Sequence, residues 1–268
     1  MGLAELVPHP ICLASGWGLV RTVRPAGGEP MRVLQVGGVY QSATFLGERR
    51  MEPAFAYYRA FDHAFTVRPG TRRVLMLGGG GYAWPKHVLA TRDAGVTLDV
   101  VEIDPAVTRA ARRWFFLDEA IARWPGRLGL AEGDGRAFLE GRALRISSGG
   151  AEAGRLRYDA VVSDAFSGSE PVRALATVEA ARAARACLVP DGIYLANVVS
   201  AEGGADVSFL RDVVATLREA FSRVYVVACD DEALAAEDNY LVIATDGDWP
   251  VPDAIPYDED FPGAVLRD

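Results

Sequence analysis

The sequence is poor in the residues that build metal centres and disulfide frameworks. Its 268 residues include three cysteines and three histidines. Cys12, Cys187 and Cys229 are far apart and odd in number, and no Cys-x-x-Cys pair occurs. That excludes a zinc knuckle and a disulfide framework. His9, His63 and His87 show no ligand spacing, so no metal is expected. Cys187, inside the apolar run Ala186–Val189, reads as a small buried hydrophobe, and a reduced, cytoplasmic setting is the expectation. Long apolar runs are missing too. No stretch reaches the ~18 residues that span a bilayer, and MGLAELVPHP has no basic region ahead of an apolar core, so neither a membrane span nor a signal peptide is expected. Positive charge is in deficit, with 28 Lys and Arg against 36 Asp and Glu for a net charge of -8. Such a chain, with no dense basic run, is repelled by a phosphate backbone, which argues against general nucleic-acid binding.

Half of the residues are apolar, enough for a sizeable core in one large unit or one large plus one small. Residues 1–66 read as a small β-rich lobe with strand candidates at 18–24 and 31–36, followed by a helix over 52–65. From residue 72 the pattern turns to strand, turn and helix in repetition. Apolar runs at 73–77, 97–103, 127–131, 158–163 and 192–199 predict five strands, and 223–228 and 240–244 two more. The segment 206–221 places Val207, Leu210, Val213, Val214, Leu217 and Phe221 on one helical face. Strands alternating with helices imply a mostly parallel sheet covered on both faces, over residues 67–248. The short connection between the last two strands implies an antiparallel pair. Residues 141–157, rich in Gly, Ser and Arg, read as an inserted loop or hairpin. Residues 249–268 read as an acidic, Pro-rich tail lying loosely over the surface.

The chemistry gathers where the predicted strands end, the edge at which open α/β sheets bind ligands. The first strand runs into Gly78, Gly79, Gly80 and Gly81. Glycine permits positive φ and close backbone approach, and the next helix aims free N–H groups at the same spot. Glu102, 24 residues beyond Gly78, ends the second strand, where a carboxylate accepts ribose hydroxyls. Asp134, in Glu132-Gly133-Asp134-Gly135-Arg136, follows the third strand within reach of an adenine amine. Asp164 ends the fourth, where a carboxylate holds or deprotonates an amine nucleophile. A plain helix cap or solvated acid is the alternative for each of these acids, and Asp104, just before Pro105, reads as a cap. Tyr82 and Trp84 flank the glycine turn; Trp84 reads as core, and Tyr82 as either core or ligand cover.

Four segments in this order and spacing, VLMLGGGG at 74–81, VVEIDPAV at 100–107, AEGDGRAFL at 131–139 and YDAVVSDAF at 158–166, resemble the spermidine and spermine synthases, the polyamine aminopropyltransferases. The resemblance covers roughly residues 31–246. It implies a Rossmann-like, S-adenosylmethionine-dependent transferase fold behind a small N-terminal β lobe. It also implies aminopropyl transfer from decarboxylated S-adenosylmethionine to a small amine, without a metal, in a homodimer. By position, Glu102 is expected at the ribose, Asp134 and Gly135 at the adenine, and Asp164 as proton acceptor. Gln41 resembles the ligand-contacting glutamine of the N-terminal lobe, and Tyr57 a tyrosine near the amine channel.

The departures concentrate on the amine side. The family's glycine turn carries an Asp where this chain has Gly81. A second Asp three residues after the catalytic one is here Ser167, followed by Gly168. The family's Tyr-His-Glu appears as Tyr57-Tyr58-Arg59. A polycation is costly to bury without anionic partners, so the expected acceptor is an amine other than putrescine. Tyr57, Arg59, Ser167 and Tyr82 are the acceptor-site candidates. Two other readings stay open. One is a methyltransferase using S-adenosylmethionine, with Arg59 pairing its carboxylate. The other is a nucleoside-binding homologue without turnover. A nicotinamide dehydrogenase fits the glycine turn and Glu102 but leaves Asp134 and Asp164 without a purpose.

Overall fold

A computed structural model describes residues 7–25, 28–150, 153–167, 170–200, 206–229, 238–255 and 263–268. The N-terminal part is a four-stranded antiparallel meander of β1 (His9–Leu13), β2 (Gly16–Val23), β3 (Met31–Val36) and β4 (Val39–Phe45). Two of these strands, β1 and β4, escape the sequence pattern. In β4 the buried positions are Ser42, Ala43 and Thr44, so its inward residues do not look apolar. The helix expected over 52–65 is instead two single turns, α1 (Tyr57–Ala60) and α2 (His63–Thr66). Its aromatic residues are core residues: Phe55, Tyr58, Phe61 and Phe65 are buried, and Phe61 meets Trp84 edge-on at 5.6 Å.

The larger sheet holds β5 (Arg73–Leu77), β6 (Thr97–Glu102), β7 (Leu128–Glu132), β8 (Tyr158–Ser163), β11 (Leu188–Ser200), β12 (Arg223–Cys229) and β13 (Asp238–Thr245). A two-residue ladder, β9 (Phe166–Ser167) with β10 (Glu170–Pro171), stands apart. The order across the large sheet is β12-β13-β11-β8-β5-β6-β7, parallel except for β13, which runs antiparallel to both neighbours. This is the mostly parallel sheet with an antiparallel last strand that the sequence implies. Pro190-Asp191-Gly192, which reads as a stop ahead of the fifth strand, is a bulge inside β11 where the register against β8 shifts.

The helices are α3 (Ala83–Thr91), α4 (Pro105–Trp114), α5 (Leu117–Arg123), α6 (Gly135–Ser147), α7 (Val178–Cys187) and α8 (Ser208–Arg218). The strands feed two cores by the alternation of β side chains. Val74 and Met76 point into the core shared with α3, α4, α5 and the N-terminal sheet, and Leu75 and Leu77 into the core under α6, α7 and α8. Burial on both faces is why these strands read as unbroken apolar runs. Residues 141–147, expected in a loop, are the second half of α6. Packing of α6 against α7 overrides the weak propensity of Gly141 and Ser147. The closing segment is not loose where it is described. Val178 N–H donates to Leu266 O (2.9 Å), and Leu266 N–H donates to Thr216 Oγ1 (2.9 Å).

Lys86, the chain's only lysine, is fully buried where the N-terminal part meets α3, α4 and α5. Its ammonium donates to Phe115 O (2.6 Å), Thr44 Oγ1 (3.1 Å) and Arg50 O (3.2 Å). Burial pushes it from an ordinary 10.5 down to about 7, against a small upward pull from Glu119. The folded state then binds fewer protons than the unfolded chain between those values, and stability from this group rises with pH across that window. Lys86→Met is expected to destabilise by roughly 1–3 kcal/mol at neutral pH, because buried acceptors lose their donor. In denaturant titrations, the gap between wild type and variant is expected to widen from pH 7 to 10; a constant gap overturns the assignment.

Candidate active site

Chain order leaves β5 toward β6 and β7 and then returns to β8 on the other side, which opens a crevice between the C-terminal ends of β5 and β8. The turn after β5 closes against that crevice. Gly78 has φ +90°, and a Cβ there would overlap the carbonyl oxygen of Asp164. Only glycine fits both the conformation and the space. The turn is held by the carboxylate of Glu102, which is 6% exposed. Glu102 Oε2 accepts from Gly79 N–H (2.8 Å) and Gly80 N–H (3.2 Å), and Oε1 accepts from Asp104 N–H (2.9 Å). A carboxylate has about four acceptor positions. With three taken, Glu102 has room for one further donor, not for both hydroxyls of a ribose.

Asp104 and Asp134 are N-caps. Asp104 Oδ1 accepts from Ala106 N–H and Asp134 Oδ1 from Ala137 N–H, both at 2.8 Å. Asp104 also accepts Ala14 N–H at 2.7 Å, which fastens the β1–β2 turn over the crevice. Capping does not remove either acid from the site, because both line one cavity of about 440 Å³ together with Glu102 and Asp164. Four carboxylates and no Lys, Arg or His line this cavity among the described residues.

Asp164 is the carboxyl least committed to backbone. Oδ1 accepts from Asn197 Nδ2 at 2.9 Å. Burial pushes its pKa up to about 7, with Glu102 adding to the rise and the Asn197 hydrogen bond opposing it. Near neutrality such a group both accepts and releases a proton readily. Tyr58, also on the cavity wall, bonds Ser42 and Tyr57, and burial with Asp164 nearby pushes its phenol up, so it stays protonated.

Of the residues singled out in the sequence, Gly78, Gly80, Gly135, Gln41, Tyr57, Glu102, Asp134 and Asp164 converge on the cavity. Gly79 and Gly81 support it from outside. Gly79 N–H serves Glu102, and Gly81 N–H donates to Ser42 Oγ (2.7 Å). A Cβ at Gly81 would come within 2.9 Å of Phe115 and 3.0 Å of Ser42, so a side chain at this position would require those two neighbours to shift. Tyr82 is buried, with its hydroxyl on Thr108 Oγ1 (2.9 Å), and does not line the cavity. Arg59 is exposed and lies off the cavity wall, because its single-turn helix points Tyr58 inward instead. The Ser167 side chain and Gly168 lie outside the described residues. Trp84 is core and donates to Asp62 Oδ1. Three contributors escaped the sequence reading: Tyr58, Ser42 and Asn197. Asn197, a lone amide in the apolar run Ile193–Val199, carried the one available signal.

Fold and site together define an acidic crevice at the C-terminal edge of a Rossmann-like sheet. No family model matches the chain. A polyamine aminopropyltransferase of Vibrio vulnificus is 28% identical over 146 residues, 54% of this chain and 44% of that one. That of Erwinia tasmaniensis is 28% identical over 167 residues, 62% of this chain and 52% of that one. The chain thus matches about half the length of these curated relatives. Among solved structures, a spermidine synthase in complex with the transition state analogue AdoDATO aligns with a TM-score of 0.68 at 18% identity, covering 93% of this chain and 76% of that one. Human methyltransferase-like protein 13 in complex with SAH aligns with a TM-score of 0.55 at 20% identity, covering 75% of this chain and 85% of that one. The chain is similar in sequence to the polyamine aminopropyltransferases and has the fold shared by spermidine synthases and methyltransferases.

The close approach at Gly78 gives a stability test. Gly126 also has positive φ (+76°) but open space around its Cα, so Gly126→Ala carries the conformational cost alone, ~1–2 kcal/mol. Gly78→Ala adds the overlap with Asp164 and is expected to lower the melting temperature by clearly more. Equal shifts would mean that the crevice is looser than this packing.

Proposed function

We propose that this chain transfers an aminopropyl group from decarboxylated S-adenosylmethionine to a small amine at the Asp164 crevice. The observation that carries this reading is the charge of the cavity, with four carboxylates and no cationic side chain among its described lining residues. Such a wall favours a cosubstrate that is cationic at sulfur and amine. It disfavours one that also brings a carboxylate, because a buried anion without a cationic partner is costly. The methyl-transfer reading relied on Arg59 for that carboxylate, and Arg59 is exposed.

In this reading Asp134 and Gly135 receive the adenine and Glu102 takes one ribose hydroxyl. Gln41, Tyr57 and the Tyr58 hydroxyl border the transferred chain and the incoming amine. The amine nitrogen forms its bond to the propyl carbon while the carbon–sulfur bond breaks. The electron pair goes to sulfur, and neutral methylthioadenosine leaves. The proton released from the amine passes to Asp164, which Asn197 orients. Sulfonium is a good leaving group, so the protein's part is positioning plus one proton acceptor. Gly81 brings no carboxylate to the amine side, which supports an acceptor carrying less positive charge than putrescine.

Calorimetric titration tests the reading. Decarboxylated S-adenosylmethionine is expected to bind at least tenfold more tightly than S-adenosylmethionine; the reverse order sinks the proposal. Asp164→Asn is expected to retain methylthioadenosine affinity and lose turnover by 10²-fold or more.

The pH profile is a separate check. Asp164 must be ionised to accept the proton, so kcat/KM is expected to rise with pH through about 7. Asn197→Ala removes the bond that opposes the upward shift and is expected to move that limb to higher pH. An unmoved limb would detach Asn197 from Asp164.

A further inference from the structure

One residue of the Gly-Asp-Gly-Arg segment is not used by the proposed chemistry. Arg136 follows Gly135 at the start of α6, and its side chain is 13% exposed. It points away from the cavity, toward the segment that forms the opposite wall. Its Nη1 donates to Ala174 O (2.9 Å) and Thr177 Oγ1 (2.9 Å), on either side of Leu175. Leu175 lines the cavity and faces Gly135, where a Cβ would stand 3.7 Å from Leu175 Cδ1. Arg136 thus bridges two walls, the β7–α6 turn that carries Asp134 and the 172–177 segment.

The bridge is locked from outside by Asp268. Its carboxylate takes Arg136 Nη1 (3.0 Å) and Nη2 (2.6 Å) in a fork, and Oδ1 also accepts from the Thr177 hydroxyl (2.8 Å). Thr177 Oγ1 in turn accepts from Ala180 N–H (3.3 Å) and caps α7. The hydroxyl therefore uses its one donor and both acceptor positions. Glu140 holds Nε at 2.7 Å. An isolated surface ion pair contributes little. Here the arginine is mostly enclosed, the pairing is bidentate and both partners share a third group, the arrangement in which a pair fixes geometry. The same segment is anchored independently, by Leu266 to Thr216 and by Ala264 N–H to Asp212 Oδ1 (2.7 Å), so removing the Asp268 carboxylate does not by itself release it.

We infer that Arg136, clamped by Asp268, is a positioning residue that sets the spacing between the Asp134–Gly135 turn and Leu175. The closing segment of the chain is thereby a determinant of nucleoside affinity. The inference rests on the nucleoside reading of the cavity. Neither residue touches the reacting atoms, so the effect falls on binding and not on the chemical step.

The test measures methylthioadenosine affinity by calorimetry, together with melting temperature and steady-state kinetics, in wild type, Asp268→Ala, Asp268→Glu, Arg136→Lys and Asp246→Ala. Asp246 pairs with Arg185 at 2.6 Å, away from the cavity, and controls for the loss of an ion pair as such. Asp268→Ala and Arg136→Lys are expected to weaken methylthioadenosine five- to twentyfold and to raise KM for the cosubstrate with kcat within twofold. Asp268→Glu is expected to recover most of the affinity, and Asp246→Ala to change only the melting temperature. Unchanged affinity in Asp268→Ala, or a fall in kcat without a rise in KM, overturns the clamp. If wild type itself does not bind methylthioadenosine, the nucleoside reading fails and the clamp fails with it, a result distinct from wild-type binding that the variants leave intact.

Discussion

The site depends on one buried carboxylate. Glu102 gathers the N–H groups of Gly79, Gly80 and Asp104, joining the turn after β5 to the turn after β6. An ion as enclosed as this is tolerated only when its lone pairs are satisfied, and here peptide N–H groups satisfy most of them. Asp104 extends the connection, since it caps α4 and receives Ala14 N–H from the N-terminal sheet. The lid-like β1–β2 turn, the glycine turn and the start of α4 are thus parts of one hydrogen-bonded unit.

A second constraint is electrostatic. Bringing four carboxylates to one cavity without a cation on its described wall raises the energy of each added negative charge. Asp164, enclosed and close to Glu102, absorbs that cost by holding its proton up to about 7. A wall of this charge favours positive charge in the cavity and leaves one carboxyl close to its titration midpoint near neutrality. Asn197 tunes this carboxyl from β11, and Tyr58 closes the side toward the N-terminal sheet as an un-ionised phenol.

The fold was readable where burial is symmetrical. β5, β6 and β8 are covered on both faces, so they appear as apolar runs, and each ends in the glycine or acid that marks the edge of the sheet. Reading failed where packing is one-sided or polar. β4 buries Ser42 and Thr44 because Gly81 and Lys86 need their hydroxyls, and no period-two apolar pattern reports that. The second half of α6 contains Gly141 and Ser147 and is helical because α7 covers it. Within the site, the acids were legible from their places at strand ends, while their partners, Asn197, Ser42 and Tyr58, come from elements far away in sequence.

Sequence by itself determined the residue types at the crevice and their order along the chain, because each must follow a strand to reach the same edge. It also determined that position 81 is Gly where the polyamine aminopropyltransferases it resembles carry Asp. Only the tertiary structure decided which way side chains point. Tyr58 turns in while Arg59 turns out, since a single helical turn pressed against the aromatic core can bury one of two neighbours but not both. Tyr82 enters the core, and Arg136 reaches a carboxylate 132 positions away. These outcomes depend on which surfaces meet once the sheets are packed, and that information is not local to any stretch of the chain.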